Sequence, residues 1–298
     1  MGGFIIGTMT STAEASLQGQ LIRPYGSQQR QKRKLLVSIR RIVFNQKGGV
    51  GKTSITCNLA AISAALGHRT LVVDLDVHGN TTEYLTQGLD TSAFPEEARG
   101  VAAMFGNSVG AKRQRVSADT FVWEVPYDNL YLMPSSPQLA TLERELEVKH
   151  KIFKLREALA ELEGVYDRVY IDTPPSFNFY TKSALVAANR LLVPFDCDSF
   201  ARSMIDSLME NVEELKEDLN PDLLFEGIII NQFNSRAKLP QAMVEGMRAD
   251  GLRVLSSYLS SSVKMRESHA SHRPLVDLAP SHKLTQEFVA LYQELEQM

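Results

Sequence analysis

The chain has 298 residues, a hydrophobic fraction of 44% and a formal net charge of −3. This length allows one large α/β domain or two small ones, and the apolar fraction is ample for a core. No apolar run approaches the roughly 18–20 residues that span a bilayer, and the first residues lack the pattern of a secretory signal. The two cysteines, Cys57 and Cys197, have no metal-ligand spacing, which indicates reduced residues of a cytosolic protein and excludes a zinc site.

Positive charge is concentrated at the start of the chain. Residues 1–45 carry seven basic side chains and one acidic one, a balance of +6 that leaves −9 for the remainder. Residues 1–34 are rich in Ser, Gln and Gly and show little periodicity, which predicts a mostly disordered arm before a single folded unit at 35–298. The arm either aids solubility or contacts an acidic polymer such as DNA.

Short apolar, β-branched runs alternate with helical patterns along the rest of the chain. The predicted strands are Ile39–Asn45, Thr70–Asp74, Leu130–Met133, Arg168–Asp172, Leu191–Pro194, Glu226–Asn231 and Arg253–Leu255. The predicted helices lie near residues 54–66, 137–163, 180–189, 202–219, 239–250 and 281–297. This alternation predicts an α/β fold, a doubly wound and mostly parallel sheet with helices on both faces. The segment from Phe94 to Asp128 is expected to be irregular.

A glycine-rich loop separates the first predicted strand from the first predicted helix. Its residues are Lys47, Gly48, Gly49, Val50, Gly51, Lys52, Thr53 and Ser54. Strand, glycine loop and helix are the context of a phosphate-binding loop, in which successive backbone N–H groups face phosphate oxygens. We expect Lys52 to reach the β- and γ-phosphates of ATP and the Thr53 hydroxyl to ligate Mg²⁺.

Lys47 is a second lysine where an ordinary loop of this kind needs one. From the start of the loop its side chain cannot easily fold back onto its own nucleotide, which favours a contact with the phosphates of a facing subunit. A solvated loop charge is the alternative. The motif is a deviant Walker A box, and from about residue 39 to 297 the chain resembles the ParA/MinD family, within it the short, Soj-like ParA type. The resemblance implies a P-loop ATPase dimer that sandwiches two ATP molecules, with Lys47 acting across the interface.

The second predicted strand ends in two carboxylates, Asp74 and Asp76, on the same side of the chain. Such a pair is unfavourable unless metal or water engages it. Residues 74–80 resemble the family's Asp-x-Asp-Pro-Gln-Gly-Asn motif, which implies that Asp76 orients the attacking water and that Asp74 supports the metal and the loop. Val77 and His78 depart from that motif, which puts the behaviour of this switch loop (residues 76–80) in question. Asp74 as a simple strand-end cap is the alternative.

Two later strands also end in polar side chains. Asp172 ends an apolar strand in the Walker B arrangement, which holds Mg²⁺ through water, although an Asp capping a helix after a turn has the same pattern. The Thr-Pro-Pro that follows matches the family's third motif. Asn231 ends a late strand, and the resemblance implies that its amide pairs with the adenine edge. Val193–Asp196 fits the family strand that leads into an interface helix, although the acids Asp196 and Asp198 are less usual there.

The family divides by what the ATP dimer contacts. MinD-type members end in a basic amphipathic helix that binds lipid, whereas the charged residues of the last 14 positions here are all acidic, so anionic lipid would repel them. Members related to nitrogenase reductase need bridging cysteines, which this chain does not match. ParA-type members bind DNA without sequence preference, and residues 236–283 hold eight Lys and Arg residues against four acids. The expected phosphate contacts are Arg236, Lys238, Lys264 and Arg266; a solvated charged surface is the alternative.

These features predict an ATPase that uses ATP and Mg²⁺, dimerises on ATP, binds DNA non-specifically and is stimulated by a ParB-like partner to segregate plasmid or chromosomal DNA. We expect it in the cytoplasm, associated with the nucleoid. No helix-turn-helix pattern precedes the first strand, so an operator-binding domain is not expected. Two alternatives stay open. One is a family member that positions a non-DNA cargo such as a chemoreceptor array; the other is a metabolic P-loop ligase, which gives Lys47 no role.

Overall fold

The computed structural model describes residues 37–88, 100–107, 116–197, 201–234 and 237–298. The predicted basic arm at 1–34 lies outside the described residues, and its disorder stays a prediction.

Seven strands within the described residues form one sheet. They are β1 Ile39–Val43, β2 Thr70–Asp74, β3 Trp123–Glu124, β4 Leu130–Met133, β5 Arg168–Asp172, β6 Arg190–Asp196 and β7 Leu224–Asn231. Across the sheet their order is β3-β4-β2-β5-β1-β6-β7. All neighbouring strands run parallel except β3, which pairs antiparallel with β4 at one edge. The predicted doubly wound, mostly parallel sheet is confirmed.

Helices connect the strands and cover both faces of the sheet. In chain order they are α1 Lys52–Ala65, α2 Asn80–Leu85, α3 Gly100–Gly106, α4 Leu139–Val148, α5 Lys154–Glu161, α6 Phe179–Ala187, α7 Ala201–Leu219, α8 Lys238–Ala249, α9 Val263–Ala270, α10 Leu275–Leu278 and α11 Lys283–Glu296. The end of α1 is set by Gly67, whose φ is +89°. The N–H groups of Gly67 and His68 turn back to the carbonyls of Ala64 and Ser63, which satisfies two carbonyls at the end of the helix.

The two faces of the sheet have separate hydrophobic cores. Successive side chains of a strand point to opposite faces. Ile42 of β1 belongs to the core that packs under α6 and α7, and Val43 belongs to the core under α1 and α11. Because both faces are buried, β2 and β5 read as nearly continuous apolar runs that end in a carboxylate.

The strand register gathers the polar strand ends at one edge. Asp74 of β2 lies opposite Asp172 of β5, and Asp172 also lies opposite Val43, the last residue of β1. On the other side of β1, Asp196 of β6 lies opposite Asn231 of β7. All of them stand at the carboxyl ends of parallel strands, where folds of this kind bind nucleotides.

Two predicted elements were wrong. Arg253–Leu255 is not a strand of the sheet: it makes a single bridge, between Ile228 and Val254. The helix predicted over 137–163 is divided into α4 and α5, because His150 has a positive φ of +53° that a right-handed helix does not allow. The segment expected to be irregular supplies the helix α3 and the strand β3, which is only two residues long and therefore too short for an alternating pattern.

The C-terminal helix α11 is fixed to the sheet by apolar and ionic contacts. Phe288 and Leu295 are almost fully buried. Arg41, with 1% of its side chain exposed, pairs with Glu226 and Glu296, each at 2.9 Å. The apolar face of this helix is therefore used inside the fold. Among the described residues, no helix has the length and apolar character needed to cross a bilayer.

Candidate functional site

The predicted phosphate-binding loop joins β1 to α1 and closes against Asn231. Gly51, directly before α1, has φ +90°. A Cβ at this position would lie 2.3 Å from Nδ2 of Asn231, so only glycine fits. The same Nδ2 donates to the Val50 carbonyl at 2.8 Å, and Gln232 Nε2 donates to the Gly49 carbonyl at 3.2 Å. The end of β7 thus supports the loop directly; the contact of Asn231 with adenine stays a prediction.

Lys52 lies inside the loop, with 8% of its surface exposed. Its Nζ donates to the backbone oxygen of Lys47 at 3.1 Å, so the side chain bridges the two ends of the loop. Burial lowers the pKa of this ammonium group, and the nearby carboxylates of Asp172 and Asp76 act in the opposite direction. The structure therefore brings the predicted phosphate-binding lysine next to two of the predicted carboxylates.

Asp172 accepts two hydroxyl hydrogen bonds on one of its carboxylate oxygens. Thr53 Oγ1 and Thr81 Oγ1 each donate to Oδ2 at 2.7 Å. Oδ1 is buried and has no hydrogen-bond partner among the described residues. Burial raises the pKa of this carboxyl to about 6, the two threonine hydroxyls oppose the rise, and Asp76 adds to it. A buried, unsatisfied carboxylate oxygen beside a threonine hydroxyl has the chemistry of a Mg²⁺ ligand set.

Asp74 holds the chain that follows β2. Its Oδ1 accepts from the backbone N–H of Asp76 at 3.1 Å. Its Oδ2 accepts from both the N–H and the hydroxyl of Thr82, at 2.8 and 2.7 Å. Burial raises the pKa of Asp74 to about 8, and the neighbouring Asp172 adds to the rise. Both oxygens are engaged by the switch loop and α2, so Asp74 shapes that segment.

Asp76 is oriented by His78, one of the two residues that depart from the family motif. Oδ1 of Asp76 accepts from the His78 backbone N–H at 3.0 Å and lies 2.9 Å from His78 Nδ1. The side chain of Ser135 donates to the Asp76 carbonyl. The departure therefore adds a side-chain contact to the predicted catalytic carboxylate, which the sequence did not reveal.

Lys47 points away from the loop interior, toward the end of β6. Its Nζ lies 2.8 Å from Oδ1 and 3.0 Å from Oδ2 of Asp196. The two lysines of the loop therefore have different surroundings: Lys52 faces Asp172 and Asp76, and Lys47 faces Asp196.

Helix α9 connects the phosphate loop with α2. Ser54 Oγ lies 2.8 Å from His269 Nε2, and the Tyr84 hydroxyl of α2 contacts Ser268 and donates to the Arg273 carbonyl at 3.0 Å. Tyr84 also packs edge-on against His269, with 5.7 Å between ring centroids. Sequence reasoning missed this contact; its only signal was the presence of three histidines between residues 236 and 283.

A cavity of about 410 Å³ opens between α1, α2 and the end of α9. It is lined by Thr53, Ser54, Asn80, Glu83, Tyr84, His269 and His272. Open space therefore adjoins the loop at Thr53, the predicted Mg²⁺ ligand.

The predicted DNA contacts are only partly placed. Arg236 lies outside the described residues, and Lys238 is the first residue of α8. Lys264 and Arg266 both lie on α9, where Arg266 is exposed and Lys264 pairs with Glu267. These two predicted contacts therefore share a helix with His269, which reaches the phosphate loop.

Comparisons with known proteins agree with this arrangement. Residues 40–225 match the family described as an AAA domain. The chain is 34% identical over 269 residues to the chromosome-partitioning ATPase Soj of Thermus thermophilus, covering 87% of this chain and 99% of that protein. It is 32% identical over 259 residues to the chromosome partitioning protein ParA of Myxococcus xanthus, covering 85% and 86%.

Solved structures show the same fold. Apo McdA from Cyanothece superposes with a TM-score of 0.74 at 20% identity, covering 87% of this chain and 99% of that one. Cobyrinic acid a,c-diamide synthase from Mycobacterium smegmatis, solved with an ATP analog and magnesium, has a TM-score of 0.66 at 28% identity, covering 80% and 92%. The family match spans most of the chain and the Soj relative is more than 30% identical along it, so the chain belongs to the ParA/MinD family of P-loop ATPases.

Proposed function

We propose that this protein is a Mg²⁺-dependent partition ATPase that dimerises on ATP, binds DNA as a dimer and releases it when a ParB-like partner stimulates hydrolysis. The observation that carries the proposal is the convergence of Lys52, Thr53 and Asp172 at a loop that begins with a second lysine, Lys47. The relatives named as chromosome-partitioning ParA and Soj support the cellular role.

Thr53 and Asp172 are the residues that would hold Mg²⁺. Oδ1 of Asp172, which has no hydrogen-bond partner in the described part of the chain, and the Thr53 hydroxyl beside its other oxygen supply hard oxygen donors, which Mg²⁺ prefers. Bound with ATP, Mg²⁺ neutralises charge that develops on the phosphates. Asp74 supports this site indirectly, since its oxygens hold the switch loop and α2. The solved relative that contains an ATP analog and magnesium supports the same pair of cofactors here.

Asp76 would position the water that attacks the γ-phosphate. The carboxylate is 7% exposed and is held by the backbone and the ring of His78. A carboxylate fixed in this way accepts a hydrogen bond from water in a defined direction, which is how an enzyme orients the nucleophile in phosphoryl transfer.

Lys47 would act on the nucleotide of a second subunit. Lys52 is turned into the loop, whereas Lys47 is turned out of it and 22% of its side chain is exposed. One loop would therefore carry one lysine for its own nucleotide and one for the nucleotide of a facing subunit. ATP then stabilises the dimer because each nucleotide contacts both subunits.

Helix α9 would link nucleotide binding to DNA binding. One end of this eight-residue helix carries Lys264 and Arg266, and its other end contacts Ser54 and Tyr84. A change at the phosphate loop or in α2 therefore alters the position of two cations that can contact DNA phosphates. Lipid binding fits less well, because Phe288, Leu291 and Leu295 of α11 are buried in the fold.

A metabolic ligase is the second candidate, and the likeness to the Mycobacterium smegmatis synthase favours it. A ligase requires a defined small-molecule substrate for ATP turnover and gives Lys47 no role.

Fluorescence anisotropy with a labelled DNA duplex of arbitrary sequence tests the proposal. In about 50 mM salt, ATP should strengthen binding and ADP should not, and affinity should fall steeply as salt rises because phosphate contacts release counterions. ATP-bound protein that ignores DNA and pellets with anionic vesicles would replace partitioning by a membrane role. ATP turnover that requires cobyrinic acid and is indifferent to DNA would favour the ligase.

A further inference from the structure

Lys47 is held within its own subunit by a two-point ion pair with Asp196. Both carboxylate oxygens lie within 3.0 Å of its Nζ. The side chains are 22% and 24% exposed, so water screens the pair only in part. Asp196 is the last residue of β6 and pairs with Asn231 in the parallel ladder. The carboxylate therefore stands on a rigid strand, whereas Lys47 stands at the start of a loop.

The backbone of Lys47 is engaged with the same strand. Its N–H donates to Oδ1 of Asn45 at 2.9 Å, and Nδ2 of Asn45 donates to the carbonyl of Pro194 in β6 at 2.8 Å. The backbone and the side chain of Lys47 are thus both fixed toward β6. This double attachment distinguishes the pair from an incidental surface contact.

The cross-subunit role requires Lys47 to exchange a carboxylate for phosphate oxygens. The Lys47 ammonium has three N–H donors. In the single subunit, donors of this group are directed at the two carboxylate oxygens of Asp196 and not at a nucleotide. A triphosphate carries more negative charge than one carboxylate, so it can displace Asp196 when a second ATP-loaded subunit presents it. Before that encounter, Lys47 must leave Asp196.

We propose that Asp196 is a positioning residue that retains Lys47 in the single subunit and so raises the protein concentration needed for ATP-dependent dimerisation. The inference rests on the cross-subunit role of Lys47 in the proposed function. A partly screened ion pair of this kind favours the paired state by about fivefold. Two such pairs open in each dimer, so the dimerisation constant changes by about 25-fold if the two sites are independent.

Sedimentation velocity with a saturating non-hydrolysable ATP analogue measures this effect. Asp196→Asn keeps the shape of the side chain and removes its charge, so it should dimerise at a concentration about 25-fold lower than the unmodified protein. Asp196→Glu retains the charge and should dimerise near the original concentration. Equilibrium dialysis at high dilution should give the same analogue affinity for the single subunit in all three proteins. A general structural defect would instead change that affinity.

A Lys47→Met background shows whether Asp196 acts through the lysine. In that background Asp196→Asn should have no effect on dimerisation, because there is no ammonium to release. An Asp196→Asn protein whose dimer is unchanged or weaker overturns the inference, and so does an equal gain in both backgrounds. Failure of the proposed function is seen separately: Lys47→Met would then dimerise like the unmodified protein, whatever Asp196 does.

Discussion

Asp74 and Asp172 stand directly opposite each other at the carboxyl ends of β2 and β5, and both are fully buried. Burial and the neighbouring Asp172 together raise the pKa of Asp74. Two carboxylates brought together out of water favour the uptake of a proton or a cation. The sheet register itself therefore creates a preference for positive charge, either a proton or a cation, at this edge.

The metal-free and nucleotide-free protein should lose stability as pH rises from about 4 to about 8. An unfolded Asp releases its proton near pH 4, whereas folded Asp74 retains it to about 8. In this window the folded state binds more protons than the unfolded state, so the free energy of unfolding falls as pH rises. Urea denaturation in EDTA measures the slope. Asp74→Asn should flatten it, and the same change at the exposed Asp128 should not; equal slopes in both variants would contradict the assignment.

The two lysines of the loop should have separable functions. Lys52→Ala should abolish tight ATP binding, because the phosphates lose the cation that lies inside the loop. Lys47→Ala should leave ATP binding to the single subunit largely intact while it weakens ATP-dependent dimerisation and hydrolysis. Equilibrium dialysis and light scattering measure the two properties. Normal dimerisation and turnover of Lys47→Ala would show that the lysine does not act across the interface.

Asp76→Ala should bind Mg²⁺ and ATP and form a long-lived dimer, because it removes the group that orients water and leaves Thr53 and Asp172 in place. His78→Ala should reduce turnover less, since the His78 backbone N–H still holds Asp76. Phosphate release measures turnover, and sedimentation measures dimer lifetime. Rapid hydrolysis by Asp76→Ala would move the catalytic role to another carboxylate, with Asp74 as the next to examine.

The main features of the fold could be predicted because its strands are buried on both faces. The apolar runs of β2, β4 and β5 have the same ends in the sequence and in the structure. The break between α4 and α5 could not be predicted, since it depends on the positive φ of His150 and no glycine or proline marks it. The two-residue β3 depends on tertiary pairing with β4, which leaves no periodic signal.

Asp74 and Asp172 were predictable because each ends an apolar strand, and Asp76 was predictable because it follows the end of β2 by two residues. What the sequence could not reveal were contacts between residues far apart in the chain. Ser54 and His269 are separated by 215 positions, and Lys47 and Asp196 by 149. In the sequence Asp196 is only an unusual acid near an expected interface, and the fold identifies it as an ionic partner of Lys47.

Buried Arg41 should contribute to stability because it pairs with the buried carboxylate of Glu226. Arg41→Met should lower the free energy of unfolding by about 3–5 kcal/mol, because it leaves the buried carboxylate of Glu226 without its main partner. The double variant Arg41→Met with Glu226→Met should recover much of the loss. Lys149→Met, which opens an exposed pair with Glu145, should change stability by less than about 1 kcal/mol. Urea denaturation would contradict this account if the double variant were less stable than Arg41→Met alone.

DNA binding by the ATP dimer should depend on the basic residues of α9. Lys264→Glu and Arg266→Glu should each weaken binding by roughly tenfold at about 50 mM salt and lower the salt slope by about one, since each cation neutralises about one phosphate. ATP affinity should stay unchanged. Lys216→Glu is a matched control, because Lys216 and Lys264 are each 30% exposed and each pairs with a glutamate three positions away.

Deletion of residues 1–34 separates this site from the basic arm. If α9 contacts DNA, the shortened protein should keep most of its ATP-dependent binding, because the arm adds only attraction that does not depend on nucleotide. The two charge reversals should then act equally in the full-length and shortened proteins. Loss of binding with the arm, together with no effect of either reversal, would place the DNA contact in the arm. An effect of Lys216→Glu as large as that of Lys264→Glu would instead show that net charge, and not a site on α9, determines binding.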